Sequence, residues 1–172
     1  MKAAKPPPVT GAQFTALGEA EQPALQRLLE RCADFELLMR GAPPTSEAAQ
    51  ELLEACPAGH PLQKKLVFGL ERDGELIGAL DLLRDYPETN DWYLGLLLFE
   101  PQSRSGGLGE RVMAALRTWI AGQGGRAIRL AVHDINEDGA RFWIRMGFQP
   151  CGTAVQERDG RTEPVTRMEL RL

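Results

Sequence analysis

Two different periods of hydrophobic and polar positions divide the chain. After Pro23, Leu25, Leu28, Leu29 and Cys32 recur at three- and four-residue spacing, which predicts an amphipathic helix opened by a proline in its first turn. Residues 35–39 continue that pattern until Gly41 and the Pro43–Pro44 pair end it. Thr45 or Ser46 can cap a second helix carrying Leu52 and Leu53, which must stop before Pro57. Residues 13–17 read as a short first strand. Residues 1–10, with prolines at 6, 7 and 8, read as a flexible tail ahead of one domain over residues 11–172.

From Leu66 the period shortens to that of strands. Segments 66–71 and 75–83 flank Asp73 and Gly74, a hairpin signal because both turn residues accept positive φ. Residues 92–99 form a nearly continuous apolar run, expected of a strand covered on both faces. A glycine-rich loop follows, then a helix with Val112, Ala115, Leu116, Trp119 and Ile120 on one side and an end at Gly122. Residues 127–132 predict a buried strand, 139–146 a short helix, and 149–158 with 161–172 a hairpin about Asp159 and Gly160. The expected order is β-α-α-β-β-β-α-β-α-β-β, a mixed α/β sheet. Strands 92–99 and 127–132 should be joined in parallel by a right-handed crossover, and the rest should be antiparallel.

At 172 residues one domain with a real core is expected, burying roughly 70% of the unfolded surface. The net charge of −4 and the pI near 5.3 argue against a sequence-independent grip on nucleic acid, which needs clustered Lys and Arg. The longest uncharged stretch, residues 6–18, is too short and too rich in Pro and Gly to span a bilayer, and no apolar leader follows the basic N-terminus. Cys32, Cys56 and Cys151 form no C-x-x-C pair and have no histidine at metal-ligand spacing, so no metal is expected. An odd count suggests reduced thiols and a cytoplasmic location.

The chemistry concentrates between Glu100 and Glu110 (EPQSRSGGLGE), in the passage from a buried strand to an amphipathic helix. Amides in a first helical turn lack intrahelical partners and sit at the positive end of the dipole. Gly106, Gly107 and Gly109 carry no Cβ, so an anion could approach the backbone closely, and Arg104 adds a positive charge. These parts read as a phosphate or pyrophosphate cradle. A P-loop would need Lys and Ser or Thr after its last glycine, where Glu110 and Arg111 stand; G-x-G-x-x-G fails on spacing. Glycines that merely turn a strand into a helix are the plain alternative.

Arg104, Ser105, Gly106, Gly107, Leu108 and Gly109 spell R-x-x-G-x-G, with Pro101 three residues upstream. Asn136 is followed at +6, +7, +11 and +12 by Phe142, Trp143, Gly147 and Phe148. Together they resemble the acyl-CoA loop and the N-x-x-A-x-x-F-Y-x-x-x-G-F element of the GNAT N-acetyltransferase superfamily. The resemblance covers residues 66–172 and touches 20–60 only through its helices. It implies the GNAT fold, with a central parallel pair that splays apart to receive acetyl-CoA, the co-substrate. It also implies backbone contacts from Leu97, Leu98 and Phe99 to the pantetheine arm, a pyrophosphate on residues 104–109, cofactor contacts from Asn136 and Trp143, and an amide that polarises the thioester carbonyl. The acetyl group would pass directly to a primary amine, on a small molecule or a protein. By the same analogy Phe35, Leu38 and Met39 would line the acceptor pocket. A homodimer is left open.

Three positions depart from that pattern. Trp143 stands where many relatives carry an acid tyrosine, Gly139 replaces the usual alanine, and Ala131 replaces a basic carboxylate found in some relatives. Candidates for the proton chemistry therefore come from the residues themselves. Asp81 lies in an apolar strand, where an ionised carboxylate is costly unless paired or used. Tyr93 lies on the strand expected to splay, and His133 follows the next one. Bland readings stand beside each: a salt-bridged Asp, a core Tyr, a loop His. Two rival functions also stand, a non-catalytic acyl-CoA-binding module and a nucleotide-binding protein using the same loop.

Overall fold

The computed structural model describes residues 5–158 and 160–172. Asp159 of the expected hairpin turn and the first four residues of the expected tail lie outside that range. Seven strands form one sheet: β1 (Gln13–Ala16), β2 (Lys65–Arg72), β3 (Glu75–Arg84), β4 (Asp91–Phe99), β5 (Ala127–His133), β6 (Gln149–Arg158) and β7 (Arg161–Arg171). They are ordered β1-β2-β3-β4-β5-β7-β6. All neighbours are antiparallel except β4 and β5. The parallel pair inferred from the strand–loop–helix–strand pattern is therefore present.

The helices are α1 (Gln22–Arg31), α2 (Ala33–Arg40), α3 (Ala48–Glu54), α4 (Leu108–Gly122) and α5 (Glu137–Arg145). The first expected helix is in fact two. At Cys32 the backbone leaves the helical region (φ −97°, ψ 24°) while its side chain stays fully buried. Three helices thus precede β2 where the hydrophobic pattern indicates two. The expected cap of α3 also differs: Glu47 is the N-cap residue, and the Thr45 hydroxyl instead accepts the Glu47 amide at 3.3 Å, too early in the chain to cap the helix. Near the N-terminus, Val9 and Ala12 form a β-bridge, and Arg111 donates to the Thr10 carbonyl at 2.9 Å.

Alternation along the strands separates two cores. On one face Leu80, Leu82, Leu94, Ile128, Leu130, Val132, Met168 and Leu170 pack with Val112, Met113, Leu116 and Ile120 of α4. On the other, Ala79 and Leu98 pack with Leu25, Leu28, Leu29 and Cys32 of α1 and its end. This second core is smaller, and beside it the sheet carries charged side chains.

Candidate acyl-CoA site

The parallel pairing of β4 with β5 covers only Asp91–Ala127, Trp92–Ile128 and Tyr93–Arg129. Beyond Tyr93 the two strands share no further pairs among the described residues, while β4 keeps pairing with β3 as far as Phe99. In the β3–β4 register Asp81 faces Leu96 and Leu82 faces Leu94, so Gly95 is the extra residue of a bulge. Bulges bend a strand and increase its twist. Asp81 fills the space above this one: a Cβ on Gly95 would lie 2.8 Å from its Oδ2. The apolar run therefore misleads in its second half. Gly95 is exposed and Leu96, Leu97 and Phe99 are only partly buried, because β5 has moved away from this stretch.

The loop after β4 leads to α4 through Ser105 at φ 68° and Gly107 at φ 70°. The first α4-type bond runs from Arg111 N–H to Gly107 O, at 3.2 Å. The amides of Leu108, Gly109 and Glu110 are thereby left without intrahelical acceptors. A Cβ on Gly106 would meet nothing within 4 Å, so the approach to this turn is open. Gly109 also has a packing reason to be bare: a Cβ there would stand 3.1 Å from the Phe142 ring, so the glycine lets α4 approach α5. Leu108 points into the core. Arg111, overlooked in the sequence, braces the loop by donating to Gly106 O at 3.0 Å.

Arg104 is not a free charge beside the loop. Its Nε donates to Phe99 O at 2.8 Å, and both terminal nitrogens reach the Asp34 carboxylate on α2, one of them at 3.1 Å. The guanidinium holds the Asp34 carboxyl below its usual range by donating to it. No local pattern announces a partner 70 residues away in sequence. Cys32 lies beside this pair, and burial pushes its thiol up to about 11, which leaves it protonated and unreactive at neutral pH.

Asn136 caps α5: its Oδ1 accepts the Gly139 amide at 3.0 Å. A Cβ at Gly139 would come within 2.8 Å of the Asn136 Cγ, so the glycine makes room for the cap instead of loosening the helix. Trp143 stacks edge-on with Phe142 and Phe148, centroids 4.8 and 5.3 Å away, and packs against the main core.

Across the sheet, Asp81 is bound by Lys65 at 2.6 Å, the lysine side chain being only 2% exposed. Burial raises the Asp81 pKa, and the ammonium of Lys65 opposes that rise. The salt-bridged alternative is thus the observed geometry, with Lys as partner. Tyr93 makes edge contact with Tyr86, centroids 5.5 Å apart. Burial and Tyr86 raise its phenol pKa, against Arg167 and the Ala131 amide, so it stays protonated. Among the described residues no cluster of three or more His, Cys, Asp or Glu could hold a metal ion, and no helix is long and apolar enough to cross a membrane.

The sheet has one parallel pair that opens beyond a bulge, and a helix start with bare amides follows it. Residues 24–148 match the family described as the acetyltransferase (GNAT) family. The chain belongs to that family. Its fold is similar to an acetyltransferase from Thermus thermophilus, with 25% identity over 95% of this chain and 99% of that one and a TM-score of 0.73. It is similar also to the ribosomal-protein-S18-alanine N-acetyltransferase of Escherichia coli, 15% identical over 93% of each chain at a TM-score of 0.68. The spermidine N-acetyltransferase of Vibrio cholerae, solved in complex with CoA and spermine, shares 18% identity over 94% of this chain and 96% of that one, with a TM-score of 0.68. No curated protein sequence matches the chain.

Proposed function

We propose that this protein transfers an acetyl group from acetyl-CoA to a primary amine within a ternary complex. The observation that carries the reading is the end of β4–β5 pairing at Tyr93, next to a helix start with three bare amides. In this reading the free edge of β4 along Leu97, Leu98 and Phe99 faces the pantetheine arm, the Phe99 carbonyl being held by Arg104. Residues 105–109 cradle the pyrophosphate, with Arg104 close by. Acetyl-CoA, when bound, supplies the acetyl group as an activated thioester. The chain's part is positioning and proton management. Asp81, paired with Lys65 beside the bulge, gives the acceptor amine a polar group to approach. Tyr93, a protonated phenol on the strand that opens, is in this reading the donor to the departing thiolate. The three free cysteines fit a reducing, cytoplasmic setting.

One observation favours a second reading. Trp143 is locked in an aromatic cluster, and an indole is no useful acid, as befits a non-catalytic acyl-CoA-binding module. Thiol release over a panel of primary amines separates the two. Turnover with at least one amine is the expected result, and acetyl-CoA binding with no turnover on any supports the module. Gly107→Glu tests the cradle itself, because Gly107 has φ 70° and opens α4. A folded variant should lose acetyl-CoA binding by at least about 100-fold, through strain, bulk and like charge. Unchanged calorimetric affinity would remove the loop from the site.

A further inference from the structure

An alkyl ammonium cannot attack a thioester until it gives up a proton, so the acetyl-transfer reading, on which this inference rests, needs a proton acceptor. The groups already described are poor candidates. Asp81 is committed to Lys65, Tyr93 holds its own proton, and Cys32 is a neutral thiol between α1 and α2. A further pair lies across the opened gap. Ile128, Leu130 and Val132 of β5 point into the main core, so Arg129, Ala131 and His133 occupy the opposite face. Met168 and Leu170 of β7 do the same, which puts Glu163, Val165 and Arg167 on the face of His133. That is also the face of Asp81 and Tyr93, because Leu82 and Leu94 lie in the main core. The gap between β4 and β5 is therefore flanked by Asp81 and Tyr93 on one side and by His133 and Glu163 on the other.

His133 Nδ1 and Glu163 Oε2 are 2.8 Å apart, with side chains 12% and 23% exposed. Both atoms are sealed from solvent, and neither has a well-aligned hydrogen bond. Contacts between catalytic groups are often misaligned until substrate is bound. We infer that His133 accepts the proton of the acceptor ammonium and that Glu163 is the residue positioning its ring. A carboxylate on Nδ1 fixes the proton there and leaves the Nε2 lone pair as the accepting atom. The ammonium passes one proton to Nε2, and the neutral amine forms the C–N bond at the acetyl carbon. The C–S bond breaks, the departing thiolate takes the Tyr93 proton, and the phenol regains one from that nitrogen. The imidazolium then releases its proton to water.

Charged and titratable groups on this face include Glu163 and Arg167 from β7, Asp81 and Tyr93 from β3 and β4, and Arg129 on β5 itself, which is tied to Asp91 and Glu169. Lys65 enters through Asp81. Asp134, next in the chain, accepts from the Thr166 hydroxyl at 3.0 Å. The α2 helix, joined to the hairpin by the Arg161 bond to Arg40 O, adds Glu36 and Arg40, an i,i+4 pair 3.5 Å apart.

The test has two arms. In the first, thiol release is followed across pH for the wild type, His133→Gln and His133→Asn, with thermal melts confirming that each variant folds. The expected result is a fall of about 10²–10⁴-fold in kcat/KM, loss of the acid-side decline, partial recovery on adding imidazole, and unchanged acetyl-CoA affinity. Wild-type kcat/KM with an intact acid-side decline in a folded variant would overturn the assignment. The second arm needs no turnover. Nitrogen-15 spectra of the His133 ring should show the Nδ1–H tautomer in the wild type and a mixture in Glu163→Gln. A tautomer indifferent to that substitution would refute the role of Glu163. If the wild type binds acetyl-CoA yet releases thiol with no amine, the transfer reading fails and the base assignment falls with it, whatever the spectra show.

Discussion

The two halves of β4 lie on one strand and are built to opposite ends. Its first three residues are saturated: they pair in parallel with β5, and the Asp91 side chain, 4% exposed, takes the Arg129 Nε at 2.7 Å. Trp92 packs edge-on against Trp119 of α4. After Gly95 the strand is held from one side only, by β3, and its last carbonyl by Arg104. Secondary structure normally satisfies every buried N–H and C=O. A half-strand with one free edge is stable only where solvent or a ligand supplies the missing partners. The difference teaches that the site is made by withdrawing a neighbour, while the clamp at the other end keeps the two strands from separating altogether.

The strongest way to break this arrangement is through the charge under the open half. Lys65→Met would leave the Asp81 carboxylate buried above the bulge without its partner, and breaking a buried pair from one side costs about 3–5 kcal/mol. The sign of the pH dependence follows from burial. The Asp81 pKa is already raised by desolvation and held back by Lys65, so without the lysine it rises further. The folded state then binds a proton that the unfolded state does not, and stability falls as pH rises through that window. Denaturant melts should show the largest deficit at pH 7 and a smaller one at pH 5. Equal deficits at both would mean that the carboxylate is solvated and the pair is dispensable.

These two halves also show what could be read without a structure. Hydrophobic period and turn residues were enough for the succession of elements along the chain from β2 to β7, because Asp73–Gly74 and the apolar runs act locally; the place of β7 between β5 and β6 in the sheet was not read. The R-x-x-G-x-G turn was legible for the same reason. The bulge was not, since a glycine inside an apolar run looks like any small strand residue until Asp81 is seen above it. The resemblance implies ligand contacts for Gly109 and Asn136; the structure adds a role that the motif does not announce, one making room for Phe142 and the other capping α5. Lys65, Asp34, Glu163 and Arg111 were missed because each acts on a partner distant in sequence. Among them only Lys65 left a trace, in the need of a buried Asp81 for a counter-charge.

A smaller effect is expected at the clamped half. Asp91→Ala removes the acceptor of Arg129, but that guanidinium keeps Glu169 at 2.7 Å and is itself 31% exposed. The loss should be about 1–3 kcal/mol, the range for removing one partner of a buried hydrogen bond. Acetyl-CoA affinity should stay within about twofold, because the clamp bears on the fold and not on the free edge. A large loss of affinity with little loss of stability would show that the clamp sets the width of the gap, and the contrast between the halves would need redrawing.

The mildest perturbation acts where the open half ends. Asp34 is 54% exposed, so its pair with Arg104 should contribute less than about 1 kcal/mol to stability. Yet the pair spends the one arginine of the loop motif on a carboxylate of α2. If a pyrophosphate must share Arg104 with Asp34, then Asp34→Ala should leave the melting curve nearly unchanged and raise acetyl-CoA affinity by up to about fivefold, the equivalent of 1 kcal/mol. The pH dependence sharpens the test. Arg104 holds the Asp34 carboxyl below its usual range, so the ion pair is intact at pH 7 and lost only as pH falls through that depressed value. The gain in affinity should therefore be the same at pH 7 and pH 5 when measured by calorimetry. A weaker affinity in the variant would reverse the argument: Asp34 would then be the residue that aims Arg104 at the phosphate, and the open half of β4 would depend on α2 for its ligand as well as for its cover.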